Sequence, residues 1–341
     1  MFGLDDLPSD VRDAVLSAAQ LTAMPALEPP AKNFRVTLCS TCFCRDYQLK
    51  TSLAANLAIL WPHRKYVRWM VVLCEDASNE NQITEEWICQ YYAEFLRTGV
   101  LMVGRAQPRD GYYHASVSKN TCHHAAVTAP EPGGRAPREI NLQPGSTEGE
   151  KRHILVNLDC DNLMGLGFLP SLLEGFKAEW VHCLWWRGQE SSTTGRIAMS
   201  EYMFLNLGGY DCEDVYGSGY QDIDLTERAS YKNVLQKIHA TKGTLQASRR
   251  VVGYPLPNSN IKAENKGKAK IVNCLNPDNL TWSQMNAHNT SVMKKRMNSK
   301  IAVRNSTAAT AGYDVKWPCE MINKARPLQF HTTAVEELGL F

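Results

Sequence analysis

The segment HILVNLDCDN, residues 153–162, joins a run of apolar residues to two aspartates separated by one cysteine. The apolar residues within 154–158 predict a short buried strand. Asp159 and Asp161 follow at the point where this strand would leave its sheet. Because alternate residues of an extended chain point the same way, both carboxylates could face one point in space. Two interpretations fit this segment: a polar strand end with Asn162 opening a turn, and a site for a hard divalent cation.

Strand-like and helix-like segments alternate along the part of the chain that precedes these aspartates. The strand-like segments are 34–41, 67–76 and 100–106, and the helix-like segments are 47–61, 83–99 and 116–129. Such alternation predicts an α/β fold with a mostly parallel sheet flanked by helices on both faces. Active sites of such sheets lie beyond the carboxyl ends of the strands, where we expect the two aspartates.

The length and composition of the chain fit one large domain with extensions. The sequence has 341 residues, of which 44% are hydrophobic and 21% are charged. We predict an N-terminal helical extension and linker over residues 1–32, a single domain over 33–295, and a C-terminal extension over 296–341 that wraps back over it. Residues 129–150 are rich in proline, glycine and charge, which predicts a mobile surface insertion.

Charge and cysteine content limit the partners and the compartment. The net charge is +2, and the basic residues within 294–300 fit a solvated helix face, so we expect no nucleic-acid partner. No signal peptide and no apolar run of about 18 residues is visible, so we expect no membrane span. The eleven cysteines fit reduced thiols in a cytoplasmic protein. A Golgi or secretory lumen would also fit if the chain is a truncated form of an anchored protein.

Further acidic and glycine-rich segments follow the other predicted strands. The second strand-like segment closes on Glu75 and Asp76, which fit either nucleotide recognition or the N-cap of a helix. Residues 206–229, NLGGYDCEDVYGSGYQDIDLTERA, contain glycines that permit close approach of the backbone to a ligand. Asp222 lies there at the start of a helical run, where it fits either a helix cap or a general base.

Taken in order, these segments resemble the motifs of nucleotide-sugar glycosyltransferases of the Rossmann-like GT-A fold. Residues 39–56 resemble the first strand and its nucleotide-facing loop, 71–80 the uridine-binding DDGSxD segment, and 114–126 the ARNxG helix. LDCDN matches the metal-binding DxD motif. Residues 195–229 are similar to the acceptor and catalytic segment of family 2 enzymes, with a β-galactosyltransferase-like C-terminal motif. The resemblance runs in the family's order from about residue 34 to residue 230.

The resemblance implies a metal-dependent enzyme that moves a hexose or N-acetylhexosamine from a UDP-sugar to an acceptor hydroxyl. Asp161, with help from Asp159, would hold Mn²⁺ or Mg²⁺ against the leaving diphosphate. Related enzymes often add a histidine to the metal, and His288 is the preferred candidate by its position.

The resemblance also implies a set of residues that contact the donor. The first aspartate of the DxD motif, Asp159, more often contacts ribose in the family. Lys119 stands where arginine is usual, and a solvated surface role fits Lys119 and Arg45 equally well. Apart from Asp159, the candidates for contact with the uridine or the phosphates of the donor are Glu75, Asp76, Lys119 and Arg45.

On the acceptor side, the QDIDL match implies that Asp222 is the base of an inverting displacement. Gln221 stands where the family usually has glutamate, which leaves the acceptor geometry open. Aromatic side chains stack on sugars, although core packing explains one tryptophan of the adjacent pair equally well. The candidate acceptor-binding residues are Trp185, Trp186, Gly209 and Gln221. The acceptor itself would be a glycan, a protein side chain or a small molecule.

Two other functions share some of these features. A nucleotidyltransferase would have the same layering, acids and metal, but it should also have a glycine-rich phosphate loop. The corresponding segment CSTCFCRDYQ, residues 39–48, contains no glycine. A non-catalytic sugar-nucleotide-binding relative should have lost the metal acids or the base, and this chain retains candidates for both.

Overall fold

A computed structural model of the protein describes residues 25–30, 34–43, 45–74, 83–106, 114–128, 153–187, 194–216, 219–239, 251–256, 280–299 and 315–316. Several predictions lie outside these described residues. They concern the N-terminal helical extension, the insertion at 129–150, Glu75 and Asp76, and most of the C-terminal extension. No helix within the described ranges is both long enough and apolar enough to cross a membrane.

The first half of the described chain alternates strands and helices as predicted. It forms β1 (Arg35–Cys42), α1 (Asp46–Leu60), β2 (Val67–Cys74), α2 (Glu85–Arg97), β3 (Leu101–Ala106), α3 (Ala115–Thr128) and β4 (His153–Asn157). The second half forms β5 (Asn162–Leu163), α4 (Phe168–Gly175), β6 (Cys183–Arg187), β7 (Ile197–Ser200), α5 (Glu201–Asn206), α6 (Gln221–Tyr231), β8 (Leu235–His239), β9 (Tyr254–Pro255), α7 (Trp282–Ser299) and β10 (Val315–Lys316).

The strands build one eight-stranded sheet in the order β10-β3-β2-β1-β4-β7-β6-β8. All strands of this sheet run in one direction except β7 and β10, which pair antiparallel to their neighbours. The predicted α/β fold with a mostly parallel sheet is therefore confirmed. Strand β1 lies between β2 and β4, and their carboxyl ends form the edge where ligand sites of such sheets are found.

Apolar side chains cover both faces of the sheet. Alternate residues of β1 and β2 supply two separate clusters: Leu38 and Val71 belong to one, and Cys39 and Met70 to the other. Helices α1, α2 and α4 contribute to the first cluster, and α3, α5 and α6 to the second. All eight residues of β2 are buried, as expected for a strand with helices on both sides.

The strand before the two aspartates ends earlier than the sequence predicts. Strand β4 ends at Asn157, and the backbone N–H of Asn162 donates to the carbonyl of Asp159 across 3.0 Å. Residues 159–162 therefore form a turn, which we call the aspartate turn. Because neither aspartate lies in the strand, this turn and not strand alternation sets the direction of the two carboxylates, and the expectation that both face one cation stays a prediction.

Helix α7 is fastened to the segment that leads into α6. The Arg296 guanidinium donates to Asp214 across 2.5 Å, pairs with Asp211, and lies 3.5 Å from Asp224. Because α7 runs from Trp282 to Ser299, the domain boundary predicted after residue 295 falls inside this helix. Arg296 was expected to belong to a solvated basic face, and it is instead the cation of a largely buried acidic cluster.

We expect Arg296→Met to lower the free energy of unfolding by about 3 kcal/mol, because it leaves the buried Asp211 carboxylate without its cation. Asp224 retains Arg228 at 2.8 Å, which limits the loss. Urea unfolding of the purified variants measures the change. The control is Lys177→Met, which breaks an exposed pair with Glu174 and should cost less than about 1 kcal/mol. Equal losses in the two variants would contradict a stabilising role for this cluster.

Candidate active site

The aspartate turn is held in place by side chains of β1 and α1. The hydroxyls of Ser40 and Ser52 donate to the carbonyls of Leu158 and Cys160 across 2.5 and 2.6 Å. The amide of Asn56 donates to the carbonyl of residue 162 across 2.9 Å. These contacts join segments more than 100 residues apart, because β1 and β4 are neighbours in the sheet. The turn is therefore fixed at the carboxyl edge of the sheet.

A lysine lies between acids from two different segments. Lys119 on α3 donates from Nζ to Oδ1 of Asp222 across 2.7 Å, and the same nitrogen lies 3.5 Å from Oδ1 of Asp159. The Tyr210 ring lies 5.4 Å from this nitrogen. The Lys119 side chain is only 10% exposed, so its charge is poorly screened by water. The structure thus brings together three residues that the sequence analysis singled out separately.

Burial and neighbouring charges shift the pKa values of both Lys119 and Asp222. Burial raises the pKa of Asp222 and the Asp159 carboxylate raises it further, while Lys119 opposes both effects. Burial lowers the pKa of Lys119, but attraction to Asp222 and Asp159 outweighs it and leaves this pKa raised. Lys119 therefore remains a cation at neutral pH, and it is the group that favours the ionised form of Asp222.

The second aspartate of the turn contacts a different cation. The Nε of Arg45 lies 3.8 Å from Oδ2 of Asp161, and the Asn162 amide donates to Oδ1 across 2.6 Å. Burial and repulsion from Asp159 raise the pKa of Asp161, against the opposing effects of Arg45 and Asn162. A cation held between the two acids would relieve this repulsion. Their carboxylate oxygens are the donors that Mn²⁺ and Mg²⁺ prefer, so the pair fits such an ion.

The predicted histidine lies elsewhere. His288 on α7 donates from Nε2 to the carbonyl of Asp214 across 3.1 Å, and its ring stacks on Tyr216 with centroids 4.1 Å apart. Within the described ranges, no group of three or more His, Cys, Asp or Glu side chains could hold a metal ion. The trio of Asp159, Asp161 and His288 is therefore not assembled, because α7 directs His288 to the segment before α6.

The two predicted acceptor-stacking tryptophans are core residues. Trp185 is 4% exposed and donates from its ring N–H to the carbonyl of Thr194, 2.9 Å away. Trp186 is fully buried, and its ring N–H donates to the hydroxyl of Ser171 across 2.9 Å. The prediction that these rings stack on an acceptor was wrong, because both indoles pack inside the clusters that cover the sheet.

Gly209 and Gln221 shape the backbone that leads to Asp222. Gly209 has φ +69°, and a Cβ atom there would lie 2.6 Å from Oδ1 of Asn120, so only glycine fits. The buried Gln221 accepts a hydrogen bond from the backbone N–H of Gly219 across 2.6 Å. Both contacts are internal to the protein, and contact of these residues with an acceptor stays a prediction.

One residue of the site was not foreseen from the sequence. A Cβ atom at Gly195 would lie 2.3 Å from Oδ2 of Asp159, so the chain before β7 approaches this carboxylate more closely than a side chain would permit. Asn157 holds that position by donating to the Gly195 carbonyl across 2.5 Å. The residues are 38 positions apart, and no local pattern indicates that they meet.

No family model and no curated protein matches the sequence. Among solved structures, the chain is similar to the mannosyltransferase PcManGT from Pyrobaculum calidifontis in complex with GDP-Man and Mn²⁺. This similarity has 13% identity and a TM-score of 0.43, over 89% of this chain and 87% of that one. The chain is also similar to S. aureus TarS 1–349 in complex with UDP, at 13% identity and a TM-score of 0.43, over 78% of this chain and 72% of that one.

Proposed function

We propose that the protein is a metal-dependent glycosyltransferase that moves a hexose or N-acetylhexosamine from a UDP-sugar to an acceptor hydroxyl. The observation that supports it best is the contact of Lys119 with both Asp159 and Asp222. These three residues come from three motifs that are distant in sequence. Their meeting at the carboxyl edge of the sheet is what a donor site next to a catalytic base requires.

The aspartate turn would bind the donor diphosphate through a divalent ion. Asp159 and Asp161 would hold Mn²⁺ or Mg²⁺, because their oxygens are hard ligands at a fixed turn. When bound, the ion supplies positive charge that offsets the negative charge developing on the leaving diphosphate. Glu75 and Asp76 stay our candidates for uridine recognition.

The cations at the site would orient the donor. Lys119 and Arg45 lie beside the aspartate turn, so each could contact diphosphate oxygens once the acids are engaged by another cation. Lys119 stays protonated at neutral pH, because attraction to Asp222 and Asp159 outweighs the lowering effect of burial on its pKa. These two residues would therefore set the position of the sugar relative to Asp222.

Asp222 would act as the base that deprotonates the acceptor hydroxyl during an inverting attack. Burial and Asp159 raise its pKa, and a base is most effective when its pKa approaches the working pH. Asp222 also lies in the first turn of α6, whose preceding backbone is fixed by Gly209 and Gln221. A nucleotidyltransferase is less favoured, since the loop between β1 and α1 has no glycine.

Donor binding is tested by thermal unfolding with UDP, with Mn²⁺, with both and with neither. At about 100 times its dissociation constant, a ligand adds about 2.7 kcal/mol of stability. We expect UDP and Mn²⁺ together to raise the melting temperature more than the sum of their separate effects. This synergy should disappear in Asp161→Asn and persist in the control Glu174→Gln, which changes an exposed carboxylate.

A wild-type protein that responds to neither UDP nor GDP, with or without Mn²⁺, would overturn the proposal. If binding is observed, UDP release from a panel of UDP-hexoses and UDP-N-acetylhexosamines would identify the donor. The panel is combined with glycan, peptide and small-molecule acceptors.

A further inference from the structure

A cavity of about 240 Å³ lies at the edge of the sheet opposite to the aspartate turn. Its walls are residues 34–37 at the start of β1, residues 64–68 at the start of β2, Pro29 and Gly99. At about 3.3 Å per residue, the length of β1 separates this cavity from the carboxyl edge of the sheet by roughly 20 Å. The cavity is therefore separate from the proposed donor site.

Four cationic side chains line this cavity, and within the described ranges no acidic residue lines it. The four are Arg35, Arg64, Lys65 and Arg68. The whole chain carries a net charge of only +2, so this density of positive charge is local. Like charges that face one space repel each other, and an anion between them would relieve the repulsion. The lining therefore indicates a site for an anion.

Other parts of the protein hold the guanidinium groups of this cavity in place. Arg64 lies over the Trp61 ring at 4.7 Å and donates to the Trp61 carbonyl across 3.0 Å. Arg35 lies 3.5 Å from Oε2 of Glu201. Arg68 is only 8% exposed, so its charge is poorly screened by water. Side chains that are already positioned lose little conformational entropy when they bind a ligand, so the cavity is preorganised.

We propose that this cavity is a second ligand site, which binds a phosphate group as the free ion or as a small phosphate monoester. Guanidinium groups present N–H donors in a fork that matches phosphate oxygens, and a phosphate dianion suits several cations better than a single carboxylate does. Sites for drug-sized ligands occupy about 300–1,000 Å³, so this smaller cavity fits a compact phosphate and not a whole sugar nucleotide. The proposal does not depend on the proposed function, because the cavity and the aspartate turn share no residue.

Calorimetry with inorganic phosphate and with glycerol 3-phosphate, in the absence of divalent ions, tests the site. We expect saturable binding of at least one of them, with a dissociation constant of about 1 mM or lower. Binding of inorganic phosphate alone indicates a site for the free ion, and binding of glycerol 3-phosphate indicates a site for a monoester. Either result supports the proposal, whereas no saturable binding of either probe up to about 10 mM would overturn it.

Two changes of charge should move the affinity for phosphate in opposite directions. Arg64→Gln combined with Lys65→Gln removes two of the four cations and should weaken binding by about tenfold or more. Glu28→Gln removes the carboxylate that pairs with Lys65 and should tighten binding by about two- to threefold. The matched control, Lys177→Gln combined with Lys232→Gln, also removes two positive charges, but at exposed positions outside the cavity. Its affinity should stay within about twofold of the wild type.

A variant at the aspartate turn locates the bound phosphate. Arg45 lies beside Asp161, so Arg45→Gln should leave phosphate binding at the cavity unchanged. Binding that is lost in Arg45→Gln and retained in the Arg64→Gln and Lys65→Gln double variant would place the phosphate at the donor site and overturn the proposal. Equal affinity in all variants would overturn it as well. If the double variant does not fold, Lys65→Gln alone and Glu28→Gln provide the same test, because these side chains are 47% and 75% exposed.

Discussion

Replacing Asp222 with asparagine is expected to lower the rate of glycosyl transfer by about 10² to 10⁴-fold, the usual contribution of a positioned general base. The side chain keeps its shape, but an amide cannot take the proton of the acceptor hydroxyl. Nucleotide binding should be equal to the wild type or tighter. The reason is that Lys119, now paired with Asp159 alone, has more of its charge available to a diphosphate.

Two measurements on Asp222→Asn distinguish the loss of a catalytic base from the loss of donor binding. Steady-state kinetics with the donor and acceptor found by the screen give kcat, and calorimetry gives the dissociation constant of UDP. Glu227→Gln on the same helix is the matched control, and its activity should stay close to that of the wild type. An Asp222→Asn protein that binds UDP and retains more than about a tenth of the wild-type kcat would show that Asp222 is not the base.

Lys119→Met is expected to displace the acid limb of the activity profile to higher pH by about one to three pH units. Lys119 opposes the rise in the pKa of Asp222 that burial and Asp159 cause, so its removal lets this pKa rise further. Asp222 must be ionised to act as a base, and activity would therefore begin at a higher pH. In the same variant, the free energy of unfolding should fall as the pH rises, because the folded protein binds Asp222's proton more tightly than the unfolded chain does.

The pH dependence of kcat/KM measures this displacement in the free enzyme. Lys119→Arg is the control, since it restores the cation and is the residue that the resembled family usually has at this position. It should return the acid limb close to the wild-type position. If the limb is unchanged in Lys119→Met, the pair with Asp222 has no role in setting the charge of the base.

The sequence predicted those features that depend on neighbours along the chain. Apolar periodicity gave the early alternation of strands and helices, and with it the mostly parallel sheet. Because carboxyl ends of parallel strands share one edge, the position of the aspartates at that edge also followed. The sequence also predicted the start of α6. Within this helix, Asp224 and Arg228 are four residues apart and form an ion pair of the kind that stabilises helices.

Other features depend on contacts between distant segments, and only the tertiary structure decided them. The strand before the aspartates ends at Asn157, so a turn held by Ser40, Ser52 and Asn56 sets the carboxylates. The same packing buries Trp186 and directs His288 away from the turn. Apolar periodicity in a sequence indicates which side chains face the core, but it does not indicate which residue each of them contacts there.

The sequence by itself determined the fold class and the types of residue at the site. The tertiary structure decided the pairing of Lys119 with Asp159 and Asp222. The physical reason is the distance along the chain over which each interaction acts. Secondary structure follows from local periodicity, whereas ion pairing and burial depend on the order of the strands in the sheet and on the packing of the helices against it.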